Sequence, residues 1–416
     1  MKVCKFGGAS VSSVERIHNV ASIIKKHAGE KLLIVISAMG KTTNALESVV
    51  HAFYNGNKGE ALQLFEDIKK QHTELATALD TDVAGQLADF FTEVEWLLHD
   101  KPVRSFDYYY DQMVCVGELL STAVISHFLN RQGIRNQWVD VRDIVRTDNT
   151  FRDARIDLSI TGEKATLQLL PLLNEYDLVI TQGFIGATDE NESTTLGREG
   201  SDYTAAVFAN LLDADSQTIW KDVQGVMNAD PKLYPNAQWI QELSYREVIE
   251  MAYYGAQVIH PKTIKPLQNK NIPLLVKSFL RPDEKGTVIQ NQNTAHLPPI
   301  IVYKFNQVLI ELTSKDYSFV SEGLNYEVYK IFRELKFKPT LSQNAAITML
   351  RVVDDLSEKI EQFALEAAQL FDVSVTKKLT LLTIRHYNEA VYQELIKDKT
   401  VLLRQQTTET IQLLML

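Results

Sequence analysis

The sequence predicts an α/β protein with a largely parallel sheet, followed by a smaller α+β region. Three observations carry that reading. Short apolar strands alternate with helical apolar patterns through residues 1–290, as they do when βα units cross over a parallel sheet. Glycines cluster where several of those strands end, at Gly7-Gly8, Gly183, Gly186, Gly197 and Gly200, and strand ends are where α/β sheets bind ligands. After the polar, proline-ended stretch 291–299, which reads as a linker, the texture changes to βαββαβ-like repeats with no glycine-rich loop.

Composition bounds the rest. At 416 residues the chain can hold two or three domains and at least one large core. A net charge of -10, with no basic block interleaved with aromatics, argues against a nucleic-acid partner. Any anionic substrate must then be held by local cations. Cys4 and Cys115 have no zinc-type spacing and suit a reducing, cytoplasmic setting. Apolar runs such as Leu32–Ile36 are strand-length, so no membrane span is expected. A glycine pair stands where a signal peptide would need its apolar core.

The elements follow in order. Residues 1–6 read as a strand and Lys5-Phe6-Gly7-Gly8-Ala9-Ser10 as the turn after it. A helix with Val14, Ile17, Val20, Ala21 and Ile24 on one face comes next. Strand, glycine pair and helix N-terminus make a phosphate cradle, with Lys5 supplying positive charge. The spacing is not that of a P-loop. Strand Leu32–Ile36 ends in Ser37, then Thr43-Asn44, small polar residues suited to ligand binding or to capping. Residues 45–105 read as an antiparallel helical excursion, and Gly117-Glu118 as the start of another helix. Glu118 there can complement the dipole or, if buried, bind an ammonium group. A strand over 137–139 leads into a charged loop.

The stretch 181–203 is the centre of the chain. An apolar strand breaks at Gly183 and Gly186, makes a polar hairpin-like excursion over 187–195, and returns through Leu196-Gly197-Arg198-Glu199-Gly200-Ser201-Asp202 to a helix. Ser201 and Asp202 are expected at its N-cap and first turn, with free N–H groups for an anion. Arg198 can grip a carboxylate. Beyond it lie a strand at 218–220, then Lys221-Asp222, turn chemistry at Asn228-Ala229-Asp230-Pro231, and Gly255 to Pro261 between two helices. His260, before a proline, reads as structural. Strands at 272–277 and 286–289 complete this region.

In the last region strands are expected at 308–313, 347–353, 373–375, 379–385, 401–405 and 410–414. Between them fall helices striped by Leu324, Val328, Ile331, Phe332 and Leu335, by Ile360, Phe363, Ala364, Ala367 and Leu370, and a short one at Glu389–Ile396. This suggests two small α+β modules sharing or adjoining sheets, for regulation or dimerisation.

Five blocks in this order, Lys5-Phe6-Gly7-Gly8, Ser37 to Thr43-Asn44, Gly117-Glu118, Thr195 to Tyr203, and Asp222-Val223 to Asp230-Pro231, resemble aspartokinase, an amino acid kinase with C-terminal ACT domains. Gly255-Ala256, Val258-Ile259-His260-Pro261 extend the match. The resemblance implies a three-layer amino-acid-kinase fold over 1–290, a linker at 291–299, and two ACT-like modules over 300–416. It implies transfer of the ATP γ-phosphoryl group to the β-carboxylate of L-aspartate, with Mg2+ held mainly by phosphate oxygens and no protein metal centre. Lys5 would then serve the transferring phosphoryl group, with Asp202 orienting it. Ser37, Thr43, Glu118, Arg198 and Ser201 would bind aspartate, and Gly7, Gly8, Ser10, Lys221 and Asp222 the nucleotide. Ser318, Phe319, Ser321, Gly323 and Leu324 match the family's effector loop, and a homodimer through 300–416 is implied. Thr340 stands where lysine-sensitive relatives usually have aspartate, which predicts weak or absent sensitivity to lysine and leaves threonine open.

The chain departs from the family at Ala9 and Lys221, usually threonines, at Glu199, usually glycine, and at Gln257, usually a nucleotide-contacting lysine. Lys221 or Lys262 is the candidate to replace that lysine's charge. These departures keep open a catalytically weak amino-acid sensor, or a kinase of another acid, as the alternative readings.

Overall fold

The computed structural model describes residues 1–292 and 296–416. Part of the expected linker, 293–295, lies outside the described residues. The chain forms two compact units. The first takes Met1–Val226, Trp239–Ile249 and the chain from Val258 to 292. The second takes Met227–Gln238, Glu250–Gln257 and the chain from 296 onward. A single cut at 291–299 therefore does not divide them: Ala229 packs with Ile301, Leu382 and Ile384 in the core of the second unit.

In the first unit the strands are β1 (Lys2–Phe6), β2 (Leu32–Ile36), β3 (Gln137–Trp138), β4 (Leu178–Gln182), β5 (Ile185–Ala187), β6 (Ser193–Thr195), β7 (Ser216–Lys221), β8 (Glu242–Ser244), β9 (Leu274–Ser278) and β10 (Thr287–Gln290). The helices are α1 (Val14–Lys25), α2 (Thr42–Tyr54), α3 (Lys58–Ala78), α4 (Ala84–His99), α5 (Phe106–Arg131), α6 (Leu158–Glu175), α7 (Gly200–Leu211), α8 (Tyr245–Tyr253), whose last turn passes into the second unit, and α9 (Pro261–Lys270). Eight strands make one sheet in the order β3-β4-β2-β1-β7-β9-β10-β8. Neighbours from β3 to β9 are parallel, and only β9 and β10 run antiparallel. Strand β2, at the centre, is aliphatic throughout and wholly buried, as a strand of a parallel sheet covered by helices on both faces should be.

Register positions the site. Phe6 is level with Ile36 on one side and Trp220 on the other, and Ile36 is level with Gln182. β1, β2, β4 and β7 therefore finish together, so the loops that follow them start from one edge.

Helix α5 is the main correction to the sequence reading in this unit. It begins at Phe106, so Gly117-Glu118 lies mid-helix and opens nothing. Its length, with a mean hydropathy of 1.4 over its most apolar stretch, would let it cross a membrane, but 89% of that stretch is buried inside the protein. It is the core helix, packed on α2, α4, β2 and β4. Gly117 is required by that packing, since a Cβ there would lie 3.1 Å from Leu46 and 3.2 Å from Thr42.

In the second unit β11 (Ile300–Ser314), α10 (Glu322–Glu334), β12 (Leu341–Asn344), β13 (Thr348–Asp354), α11 (Ser357–Ala367), β14 (Phe371–Arg385), α12 (Glu389–Ile396), β15 (Val401–Gln406) and β16 (Thr410–Met415) follow one another. Their strands form one antiparallel sheet, β12-β13-β11-β14-β16-β15. The two expected modules share it through β11 and β14. These pair along most of their length, with register shifts around Gln307. The strands read separately at 373–375 and 379–385 are the one strand β14. Exposed Lys377-Lys378, with Lys378 at φ 62°, resembled a turn but is an irregularity within the strand.

One module's core gathers Ile310, Leu312, Val328, Phe332, Met349 and Phe363. The ring of Phe332 lies 4.4 Å from that of Phe363 and 4.8 Å from that of Phe337. Phe332→Ala should cost about 3–5 kcal/mol. Urea denaturation followed by circular dichroism checks this; a loss below about 1 kcal/mol would show that the site repacks.

Candidate active site

The loops leaving the aligned strand ends open on one cavity of about 620 Å3. β1 brings Lys5, Gly7, Gly8 and Ser10; β2 and the start of α2 bring Ser37 and Thr43; β7 brings Lys221 and Asp222. The first turn of α7 and the residues before it add Arg198, Ser201 and Asp202, and α5 contributes Glu118 from behind. All twelve residues singled out in the catalytic region line this cavity.

The two glycine-bearing loops touch closely. Gly40 N–H donates to Gly8 O at 3.0 Å, and a Cβ on Gly8 would lie 2.5 Å from the Ala38 carbonyl. Ser10 Oγ donates to Gly7 O at 2.6 Å and closes the turn. Helix α7 starts two residues earlier than the sequence suggests. Its N-cap is Glu199, in a left-handed conformation at φ 54°, and Ser201 and Asp202 both occupy the first turn. Their negative and polar groups sit at the positive end of the helix.

Charge is distributed unevenly around the cavity. Lys5 Nζ lies 2.8 Å from Asp202 Oδ1, with both side chains nearly buried. Glu118 is 3% exposed and its Oε2 has no hydrogen-bond partner. Burial pushes its carboxyl up to about 8, against the lowering effects of the Ala38 amide and Lys5. Lys221 Nζ is committed to the Val258 carbonyl at 2.6 Å. Arg198, by contrast, forms no ion pair or side-chain hydrogen bond among the described residues. An open guanidinium and a buried, unsatisfied carboxyl thus share one cavity. The carboxylate and ammonium of an amino acid are their complement.

Residues 1–278 match the Amino acid kinase family. The chain is 32% identical over 392 residues to lysine-sensitive aspartokinase 3 of Escherichia coli, covering 92% of this chain and 86% of that one. The chain belongs to the aspartokinase family. The crystal structure of E. coli aspartokinase III in complex with aspartate and ADP (R-state) superimposes with a TM-score of 0.85 and 29% identity, covering 100% of this chain and 96% of that one. The chain is also 33% identical over 296 residues to bifunctional aspartokinase/homoserine dehydrogenase 2, chloroplastic, of Arabidopsis thaliana, 69% of this chain but 32% of that one. It therefore spans about a third of the length of that relative.

Against the aspartokinase pattern, the departures acquire physical explanations. The usual glycine at 199 suits the left-handed backbone found there. Glu199 adopts it, and its carboxylate accepts the His260 N–H at 2.7 Å. Neither candidate replacement for the lysine at 257 is a free ammonium. Lys221 is tied to Val258, and Lys262 donates to Leu196 O at 2.6 Å. Gln257 does not line the cavity. His260 caps α9, its Nδ1 accepting the Lys262 N–H, as a structural histidine would.

Sequence reasoning missed Asp111, Tyr110 and Arg152. Asp111 is fully buried and accepts Thr195 Oγ1 at 2.7 Å, Thr195 N–H at 2.8 Å and Arg152 N–H at 3.0 Å. Burial pushes its carboxyl up to about 6, opposed by those hydrogen bonds. Arg152, in a left-handed backbone, lines the cavity with its guanidinium over the Tyr110 ring and paired with Asp107. Asp107 and Asp111 are one turn apart on α5, a signal hidden once that helix was read as starting at Gly117.

The residues matched to the effector loop belong to the second unit. Ser321 caps α10 by accepting the Leu324 N–H, Gly323 follows in its first turn, and Phe319 is exposed. Two backbone N–H groups of this segment are already engaged: Ser318 with Asp316 Oδ1 and Val320 with Ala346 O. Thr340 Oγ1 accepts from Lys304 Nζ at 3.2 Å.

Glu118 makes a pH prediction. Its folded value is raised from 4.5, so the folded chain holds a proton the unfolded chain has lost, and stability falls as pH rises between about 4.5 and about 8. Glu118→Gln should remove this slope and gain most over the parent near pH 8. Melting temperatures of the ligand-free proteins from pH 5 to 8 test it; parallel curves would refute it.

Proposed function

We propose that the chain is an aspartate kinase, transferring the γ-phosphoryl group of ATP to the β-carboxylate of L-aspartate to give 4-phospho-L-aspartate. That product opens the route to lysine, threonine and methionine. One observation carries the reading most: open Arg198 and buried, unsatisfied Glu118 share a cavity with the Lys5–Asp202 pair.

Both reactants are anions, so the protein must mainly align them and neutralise their repulsion. In this reading Arg198 takes the α-carboxylate through two parallel hydrogen bonds. Glu118 releases its proton to solvent and, as a carboxylate, holds the α-ammonium, while Ser37, Thr43 and Ser201 fix the side chain. No general base is needed, because the β-carboxylate is ionised at neutral pH. Lys5, held by Asp202, would meet the transferring phosphoryl group, where charge spreads in the transition state. The Gly7-Gly8 turn, Ser10 and Asp222 would receive the nucleotide phosphates.

The described residues bring together no group of three acidic, histidine or cysteine ligands. Asp222, an exposed carboxylate on the cavity, fits a cation carried mostly by phosphate oxygens. Bound Mg2+ would offset charge on those oxygens. The second unit, we infer, pairs with a second copy and tunes activity, with lysine a weak effector or none. The setting is cytoplasmic.

An ATP-dependent hydroxamate assay with aspartate beside glutamate tests the substrate; turnover of glutamate but not aspartate would overturn it. Lys5→Ala should lower kcat by about 100-fold or more, and retention above about a tenth, 1.4 kcal/mol, would exclude its role. Arg198→Lys should raise the KM for aspartate far more than that for ATP, because lysine keeps the charge but loses the fork. Equal rises would place Arg198 at the phosphates.

A further inference from the structure

We infer that Glu199 and Lys221 are positioning residues that tether the segment 258–262 to the cavity wall, and that ATP binding depends on this tether. The inference rests on the phosphotransferase reading above. Val258 is where the chain re-enters the first unit after Glu250–Gln257 of the second. Within five residues three charged side chains fasten it down. Lys221, at the end of β7, donates to Val258 O at 2.6 Å. Glu199, the N-cap of α7, accepts from His260 N at 2.7 Å. Lys262, in the first turn of α9, donates to Leu196 O at 2.6 Å.

These bonds are short and charge-assisted, the stronger class of hydrogen bond. Neither Glu199 nor Lys221 makes another side-chain hydrogen bond among the described residues, and both line the cavity. Their charges are thus spent on the segment. Glu199 also holds a left-handed backbone, a conformation that favours glycine. Strain of that kind persists where the surroundings enforce it, often at a functional site. The bond to His260 supplies such a reason, and it draws a carboxylate that would otherwise face anionic ligands onto the N-terminus of α9. The two departures from the family pattern therefore serve one purpose: each anchors a different residue of the same short segment.

The test uses the full chain, with ATP binding by calorimetry and amide hydrogen exchange across residues 256–263. Glu199→Gly removes the carboxylate and relieves the backbone. Glu199→Gln keeps an acceptor for the His260 amide but not the charge, and Lys221→Met removes the other anchor. Glu199→Gly and Lys221→Met should each weaken ATP binding about tenfold or more and speed exchange at His260 and Lys262. Their effect on the KM for aspartate should stay within about threefold. Glu199→Gln should retain most of the affinity, and the double variant Glu199→Gly/Lys221→Met should be little worse than the poorer single one, since both release one segment.

Tighter or unchanged ATP binding in Glu199→Gly would overturn the inference and mark the carboxylate as a source of repulsion. Equal damage from Gln and Gly would assign the effect to charge instead of the tether, and weakened binding without faster exchange would also overturn it. A chain that binds ATP normally but phosphorylates no aspartate defeats the substrate reading alone. No ATP binding by the unmodified chain defeats both.

Discussion

Everything at the catalytic cavity depends on four parallel strands ending at the same level. Parallel pairing fixes one register across β4, β2, β1 and β7, and a one-residue slip would turn every side chain to the opposite face. Because that register is locked by buried aliphatic residues, the polar loops need little order of their own. Lys5 is the penultimate residue of β1, level with Val35 on one side and Ile219 on the other. The core is thus the instrument that aims the polar groups.

On that frame the charges fall into two classes. Lys221, Lys262 and Glu199 are used up on backbone groups, and Arg152 on Asp107 and Tyr110. Among the described residues, exposed Arg198 makes no ion pair, and Glu118 is buried with its Oε2 unsatisfied. A ligand gains most from groups that are already desolvated and unsatisfied, because it ends a cost the empty site bears. Glu118 is the clear case: burial pushes its carboxyl up to about 8, with the Ala38 amide and Lys5 only partly opposing. On the proposed reading, that imbalance is what an amino acid's ammonium would relieve.

How much of this was legible in the sequence depended on whether the signal was local. Strand ends, glycine turns and the Leu196 to Asp202 block were readable because strand, turn and helix chemistry lie next to one another in the chain. The alternation of β and α over the first region followed from apolar period and length alone. Asp111 was not readable: a lone aspartate in an apolar helix says nothing until Thr195 is seen bonded to it, 84 residues away. The start of α5 was misplaced because the aromatic run Tyr108-Tyr109-Tyr110 masks its periodicity. In the second unit, β11 and β14 were read short because each is a 15-residue strand whose exposed middle looks like a loop. The passage of residues 227–238 and 250–257 into that unit left no mark in composition at all.

The departures at 199, 221 and 257 illustrate why substitutions in a family pattern must be weighed together. Taken singly, Glu199 adds negative charge beside an anion site, and Gln257 subtracts a cation. Both suggest a weakened enzyme. The structure changes the sign of the first, because the carboxylate faces an amide, and a charge satisfied by a helix N-terminus projects less field into the cavity. Lys221 then cannot be counted as a spare cation for the nucleotide, since moving its ammonium would release Val258. On the proposed reading, the phosphates would then be met by Lys5, the amides around Gly7 and Gly8 and the first turn of α7. The register of the sheet holds Lys5 and the Gly7-Gly8 turn, while the start of α7 is also fixed by the bond from His260 to Glu199.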